Sequence, residues 1–255
     1  MPFQKIQAEK LSQSVVRQIE LLVLRGVLRP GERLPSERDL SERLGISRPL
    51  LREALANLQD SGLLNSRPGA GVYVADVLGS AFSPALIALF AAHDEAVFDY
   101  IAFRRDLEGL AAERAARLGT ETDLKVIATI FAKMEAAHQK RDPTDEAELD
   151  AEFHMAIIEA SHNVVMLHMM RSMFDLLRQG VFYNRQVMFK NRMTRDHLLA
   201  QHRAIHLAIQ GRDGAVARLA VSTHLDFVEQ SLTEQVRAAR HEDVARQRLE
   251  HEQTR

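Results

Sequence analysis

Hydrophobic residues near the N-terminus recur at helical spacing in three short segments. The first segment predicts a helix from about Glu9 to Arg25. Its apolar face consists of Leu11, Val15, Ile19, Leu22 and Val23. Two shorter helical patterns follow between Leu34 and Leu58, one on each side of Gly45. Because glycine tolerates a positive φ, it commonly ends a helix, so these two helices are expected to meet at a tight turn.

The third predicted helix has a capping residue before it and two arginines near its N-terminal end. Ser47 is placed to cap it, as Ser36 is for the helix before. The buried face is formed by Leu51, Leu55 and Leu58, whereas Arg48 and Arg52 lie on another face near the N-terminal end. A solvated helix face would have the same two arginines. A helix–turn–helix domain, however, also needs basic residues at this place, where the second helix enters the major groove.

A short hairpin with a glycine-rich tip is predicted directly after the third helix. Segments 63–67 and 72–74 have strand character and flank Pro68–Gly71. Seven arginines and no lysine occur from Arg25 to Arg52, and arginine forks onto guanine edges and phosphates. Together these features predict a winged helix, in which glycines let the backbone of the wing approach DNA closely.

The motifs of this region resemble the winged-helix domain of GntR-type bacterial transcription regulators. The resemblance spans residues 5–76 and rests on Leu28–Gly31, Leu34–Arg38, Ser47–Leu55 and the wing.

This resemblance implies roles for individual residues. Arg38, Arg48 and Arg52 are expected to contact operator DNA, and Gly69 is expected at the wing tip. Leu50 departs from the family pattern, where a small polar residue is common, so the resemblance does not imply a base contact from position 50.

The rest of the chain has a helical pattern and no convincing strand. The predicted helices are 84–92, 95–118, 121–140, 144–160, 164–190, 195–210 and 215–240. The sequence therefore predicts a mainly α protein. Its parts are an N-terminal winged helix–turn–helix domain at 5–76, a linker at 77–83, an all-α antiparallel bundle of six or seven helices at 84–240, and a charged, frayed tail at 241–255.

Charge and composition separate the two predicted domains. Residues 1–79 contain 11 basic and 9 acidic residues, whereas the remainder contains 22 and 26, so only the first part is net positive. The absence of cysteine excludes disulfides and thiolate metal sites. No apolar run could span a membrane and no signal pattern is found, so we expect a cytoplasmic protein that associates with the nucleoid when bound to DNA.

Four residues in the helical part have the spacing of a metal site. Asp150 and His154 are four apart and share one helix face. His202 and His224 are each 11 residues from Asp213, so they would lie at the same height in a helical hairpin. One carboxylate and three imidazoles would suit a divalent ion such as Zn²⁺, Ni²⁺ or Mn²⁺.

Spacing does not decide every histidine. All 11 histidines lie at or after His93. His206 competes equally with His202 for the metal set. His138 is near a helix end in polar surroundings and is expected to be exposed.

A second resemblance covers residues 84–232. Segments 150–154, 160–163, 201–205 and 223–225 are similar to the FadR-type C-terminal ligand-binding (FCD) domain. Many members of that group hold a divalent metal through one Asp and three His, which here correspond to Asp150, His154, His202 and His224. The resemblance thus selects His202 over His206.

Two more residues are candidates for effector binding. The run Phe103–Glu108 resembles a family signature whose arginine faces the pocket, which implies that Arg104 pairs with an effector carboxylate. The alternative is an intrahelical pair of Arg104 with Glu108. Asn163 could donate to the effector or cap the next helix.

The predicted function is a homodimeric, operator-binding transcription repressor controlled by a small carboxylate at the metal. Segments 159–165 and 174–177 resemble regulators of lactate, glycolate and pyruvate metabolism, which implies a 2-hydroxy or 2-oxo acid. One alternative is a regulator with a structural metal, or none, and a different effector. A helical-bundle metalloenzyme is disfavoured because di-metal bundles need several carboxylates and paired Glu-x-x-His motifs.

Overall fold

The computed structural model describes residues 8–67, 69–75, 83–140, 144–178 and 192–253. The chain divides into two compact units, residues 1–81 and 82–255. The predicted linker at 77–83 lies, apart from Ser83, outside the described residues. No helix in the described ranges has both the length and the apolar character needed to cross a membrane.

The first unit is a winged helix. Its elements are α1 (Ala8–Leu24), α2 (Glu37–Leu44), α3 (Arg48–Asp60), β1 (Leu64–Arg67) and β2 (Gly71–Val74). The core forms where α1 and α3 pack together, and it includes Val15, Ile19, Leu51, Leu55 and Leu58. The amphipathic pattern therefore predicted both the helices and the faces that they bury.

The turn between α2 and α3 follows the predicted capping chemistry with one exception. The hydroxyl of Ser36 accepts a hydrogen bond from the backbone N–H of Asp39 at 3.2 Å. Gly45 ends α2 in the left-handed region at φ 64°. Ser47 precedes α3 as expected, but its side chain makes no capping hydrogen bond. Pro49 lies in the first turn of α3, and within the connecting turn the hydroxyl of Ser41 donates to the backbone oxygen of Ile46 at 2.6 Å.

The wing is an antiparallel hairpin. Leu64 pairs with Val74 at its base, and Arg67 pairs with Gly71 next to the tip. Gly69 has a φ of 72°, which a residue with a side chain rarely adopts. The hairpin therefore has the predicted glycine-dependent tip, and Pro68 within it lies outside the described residues.

Seven helices are described in the second unit. They are α4 (Pro84–Ala92), α5 (Asp94–Leu118), α6 (Glu121–His138), α7 (Thr144–Ala160), α8 (Val164–Arg178), α9 (Arg192–Gln210) and α10 (Gly214–Gln253). The helix predicted at 164–190 is described only as far as Arg178. The prediction of a frayed tail was wrong as far as the structure describes it, because α10 continues as an exposed helix through Gln253.

Small residues are buried along α5 and at the start of α10. Four alanines of α5 are completely buried, namely Ala111, Ala112, Ala115 and Ala116. At the start of α10, a Cβ on Gly214 would lie 3.1 Å from the backbone oxygen of Glu113. The absence of a side chain at Gly214 therefore sets the distance between two helices that both contribute to the site described below.

We expect Gly214→Val to destabilise the helical unit by about 1–3 kcal/mol, because an overpacked contact must be relieved by moving α10. Thermal unfolding followed by circular dichroism measures the effect. The matched control is Ala215→Val, which adds similar bulk at the next, exposed position. Equal melting temperatures for the two variants would contradict the close-packing argument.

Candidate functional site

Four buried side chains meet inside the helical unit. Asp150 and His154 come from α7, His202 from α9 and His224 from α10, and each is at most 4 % exposed. One ligand atom from each of the four lies within 4.8 Å of all the others. Nε2 of His202 is 3.0 Å from Oδ1 of Asp150 and 3.3 Å from Nε2 of His154. The structure thus brings together the four residues that the sequence proposed as a set.

Two further residues orient the imidazoles. Nδ1 of His154 lies 2.6 Å from Oε2 of Glu108 on α5. Nδ1 of His224 lies 3.1 Å from Oε1 of Gln201. An acceptor at Nδ1 favours the tautomer whose Nε2 has a free lone pair, which is the form that binds metals. Sequence reasoning missed these supporting roles, and only the position of Gln201 beside His202 could have suggested one.

Burial and neighbouring charges set the protonation states. Burial raises the pKa of Glu108, but the Arg104 guanidinium and the His154 imidazole outweigh it and lower the pKa to about 2. For His224, burial comes first and His202 and His154 add to it, which together hold its pKa well below 6.5. Glu108 is therefore ionised and His224 neutral at pH 7.

The donor set fits a divalent cation. Two imidazole Nε2 atoms and a carboxylate oxygen approach one another in a space from which water is largely excluded. Imidazole nitrogens and a carboxylate oxygen are the ligands that such divalent ions take in proteins. Asp150, His154, His202 and His224 are the residues that would hold the ion.

Arg104 is buried next to the cluster and makes the pair that was the alternative to effector binding. Its Nε lies 2.5 Å from Oε1 of Glu108, and only 1 % of its side chain is exposed. The guanidinium carbon is 5.1 Å from the ring centre of Phe174 and 5.8 Å from that of Tyr100. Through Glu108, Arg104 belongs to the same polar network as His154.

Asn163 has the capping role that was the alternative for this residue. Its side-chain oxygen accepts hydrogen bonds from the backbone N–H groups of Val165 and Met166, each at 3.1 Å. This is the N-terminal cap of α8. The proposed contact of Asn163 with an effector stays a prediction.

His206 does not belong to the cluster. Its ring stacks on Phe131 at a centroid distance of 4.7 Å. Partial burial lowers the pKa of His206, although Glu135 raises it. A stacked, partly buried imidazole on a neighbouring face of α9 leaves His202 as the residue that points to His154.

The prediction that His138 is exposed was wrong. Only 5 % of the residue is accessible. Its Nδ1 lies 2.6 Å from Oε1 of Glu146 and its Nε2 lies 2.9 Å from Oδ1 of Asp196. Arg195 of α9 pairs with Glu146 at 2.6 Å and also donates to the backbone oxygen of His138 at 3.1 Å. The start of α9 thus covers the end of α6, a contact that local sequence does not reveal.

The residues predicted to contact DNA are exposed in the winged helix. Arg38 lies on α2, and Arg48 and Arg52 lie on the N-terminal half of α3. Leu50 is partly buried. In the wing, the guanidinium of Arg67 lies 4.4 Å from the ring centre of Tyr73. The unit therefore presents several arginines from one helix–turn–helix and its wing.

A winged helix followed in the chain by a helical unit that buries a cluster of polar side chains is typical of a DNA-binding transcription regulator. Comparison with protein-family models supports this class directly. Residues 11–74 match the gntR family of bacterial regulatory proteins, and residues 99–227 match the FCD domain. The chain belongs to the GntR family and contains an FCD domain, and it is a regulator of transcription rather than an enzyme.

Relatives of known description are similar over most of their length. The Glc operon transcriptional activator of Escherichia coli (strain K12) is 34 % identical over 231 residues, which cover 89 % of this chain and 91 % of the relative. A candidate regulatory protein of the L-lactate dehydrogenase operon in the same strain is 36 % identical over 227 residues, covering 88 % and 86 %. LutR of Bacillus subtilis (strain 168) is 30 % identical over 213 residues, covering 83 % and 96 %.

Solved structures share the fold. A GntR protein of Streptococcus agalactiae aligns with a TM-score of 0.51 and 24 % identity over 88 % of this chain and all of that chain. McbR/YncC of E. coli aligns with a TM-score of 0.50 and 21 % identity over 89 % and 98 %.

The low pKa of His224 predicts how stability depends on pH after chelation of any metal. Unfolded His224 takes up a proton near pH 6.5 whereas the folded residue does not, so stability is full above pH 6.5 and falls as the pH drops below it. The variant His224→Asn lacks this proton-binding site. Below pH 6.5, its free energy of unfolding should therefore change less steeply with pH, by up to about 1.4 kcal/mol per pH unit.

Chemical denaturation between pH 7.5 and 5.5 (about two units, enough to span the unfolded pKa) measures that slope. His241→Asn is the control, because His241 is exposed on α10. An unchanged slope in His224→Asn would show that His224 is not held neutral.

Proposed function

We propose that the helical unit is a metal-dependent sensor of a small carboxylate and that effector binding changes operator affinity. The observation that carries this proposal is the buried meeting of Asp150, His154, His202 and His224. This set suits Zn²⁺, Ni²⁺ or Mn²⁺. A bound ion of five- or six-fold coordination would keep a position for an effector oxygen.

Arg104 supports an acidic effector. It is a buried guanidinium within the network of the cluster, and its partner Glu108 also contacts His154. A carboxylate that approaches the metal would meet this fixed positive charge, and arginine recognises carboxylates through paired N–H groups. We propose a 2-hydroxy or 2-oxo acid, in which a second oxygen beside the carboxylate can also reach the ion. One relative is described as a regulatory protein of an L-lactate dehydrogenase operon, and lactate is a 2-hydroxy acid.

The proposed regulation is repression by a homodimer, relieved by the effector. A two-fold dimer would match a near-palindromic operator and double the DNA contacts. The effector acts only if it binds the DNA-bound and the DNA-free arrangement with unequal affinity. Because one relative is described as an activator, the sign is tested by a reporter gene behind the operator, whose expression should rise when the effector is supplied.

A structural ion is the second candidate. Four protein donors would fill a tetrahedral Zn²⁺ and leave no position for an effector. In that case the metal would hold α7, α9 and α10 together, and another signal would act on the DNA-binding unit.

A thermal-shift panel of lactate, glycolate and pyruvate separates the two candidates. A ligand at a hundred times its Kd stabilises the folded protein by about 2.7 kcal/mol, which corresponds to several degrees or less for a chain of this size. We expect such a shift from one of these acids, and we expect chelation to abolish it.

Two alanine variants on α9 test whether the shift depends on the cluster. His202→Ala should lose the acid-dependent shift, whereas His206→Ala, four residues along α9, should keep it. If chelation lowers the melting temperature but none of the acids raises it, the structural candidate is correct and the sensor proposal is wrong.

The proposed DNA contact of Arg52 has its own test. Arg52→Ala should weaken binding to the operator by about 1–3 kcal/mol, with relaxed preference at one base pair of each half-site, because a guanine contact is lost. Fluorescence anisotropy with operator duplexes measures this change. Arg248→Ala on the exposed end of α10 is the control, and equal affinities for both variants would refute the contact.

A further inference from the structure

One carboxylate lies between two of the arginines proposed to contact DNA. Glu37 is the first residue of α2, and its Oε2 is 2.7 Å from Nε of Arg52 and 3.7 Å from Nη2 of Arg48. The arginine side chains are 63 % and 57 % exposed, whereas that of Glu37 is 33 % exposed. The acid therefore lies beneath two guanidinium groups that extend into solvent.

Glu37 binds one particular nitrogen of the Arg52 guanidinium, which leaves the rest of that group available for DNA. It contacts Arg52 at Nε, the nitrogen nearest the chain, so the two terminal nitrogens with four of the five N–H groups are not used by this bond. A bond at Nε restricts rotation of the planar group about the end of the side chain. Arginine reads guanine with two N–H groups in one plane, so a fixed plane favours the correct base over others.

Stability does not account for this contact. Ion pairs between exposed side chains contribute little, because solvent screens them and two long side chains lose freedom. Nor does overall DNA affinity account for it. A negative charge beside the arginines opposes their attraction to phosphate and should weaken binding to DNA of every sequence.

We infer that Glu37 is a positioning residue for base recognition by Arg52. It increases the preference for operator over other DNA and lowers affinity for DNA in general. This inference rests on the proposed contact of Arg52 with a base. It predicts effects of opposite sign on the two kinds of DNA when the carboxylate is removed.

The test uses the full chain and DNA that the wild-type protein selects from a pool of random duplexes. The Kd of Glu37→Gln is measured for the selected duplex and for a random duplex at one salt concentration. We expect tighter binding to the random duplex, weaker binding to the selected one, and a ratio that falls about tenfold.

Glu42→Gln is the matched control. Glu42 is exposed on the same helix, and none of the ion pairs found among the described residues includes it. Loss of its charge should tighten binding to both duplexes equally and leave the ratio unchanged. Equal behaviour of the two glutamine variants would overturn the inference, because charge alone would then explain the effect.

A shorter acidic side chain at position 37 distinguishes the effect of the negative charge from the effect of the bond to Arg52. Glu37→Asp keeps the negative charge but moves it away from Arg52 by one methylene, so the ratio should fall without any gain in affinity for random DNA. In an Arg52→Ala background, Glu37→Gln should not change the ratio further. An additional drop there would mean that Glu37 acts through Arg48 or on the structure of the unit rather than through Arg52.

The base preferences of each variant show whether the proposed contact of Arg52 or only the positioning role of Glu37 is wrong. Selection from the random pool should lose information at the same base pair in Glu37→Gln and in Arg52→Ala. If Arg52→Ala selects the same sequences as wild type, the proposed contact of Arg52 fails and the inference fails with it. If only Glu37→Gln selects as wild type does, the contact stands and the positioning role is wrong.

Discussion

The central interaction of the helical unit is the contact of the buried Glu108 carboxylate with Arg104 and His154. The carboxylate lies between the guanidinium of Arg104 and the imidazole of His154. Removing this charge would break a buried ion pair with Arg104, which is a strongly destabilising change in a protein interior. One side chain thus makes the burial of Arg104 tolerable and also fixes the tautomer of a candidate metal ligand.

Local spacing predicted much of this cluster because its four residues come in two locally related pairs. Asp150 and His154 are one helical turn apart, and His202 and His224 are equidistant from the turn at Asp213. Helix geometry alone placed the first pair, but it left His202 and His206 as equal candidates for the second. That the pairs meet depends on how α7 packs against α9 and α10, which only the resemblance to a family could indicate.

Two of the misses share a physical cause, which is packing between segments distant in sequence. His138 is buried because Arg195 and Asp196 at the start of α9 close over the end of α6. Glu108 supports His154 across two helices. In both cases a polar residue with unremarkable neighbours in sequence acquires its role from a helix that lies elsewhere in the chain. Conversely, Arg104 and Asn163 each made the local contact that spacing had offered as the alternative.

The length of α10 gives small movements at the cluster a mechanical consequence. The helix extends roughly 40 Å beyond His224 at the rise of a regular α-helix, and its last residues are exposed. A tilt of about 5° with its pivot at His224 would displace the far end by roughly 4 Å. A displacement of this size is comparable to the distance between two side chains in contact. The exposed end of α10 is accordingly the part of this unit where the state of the cluster would be most visible from outside.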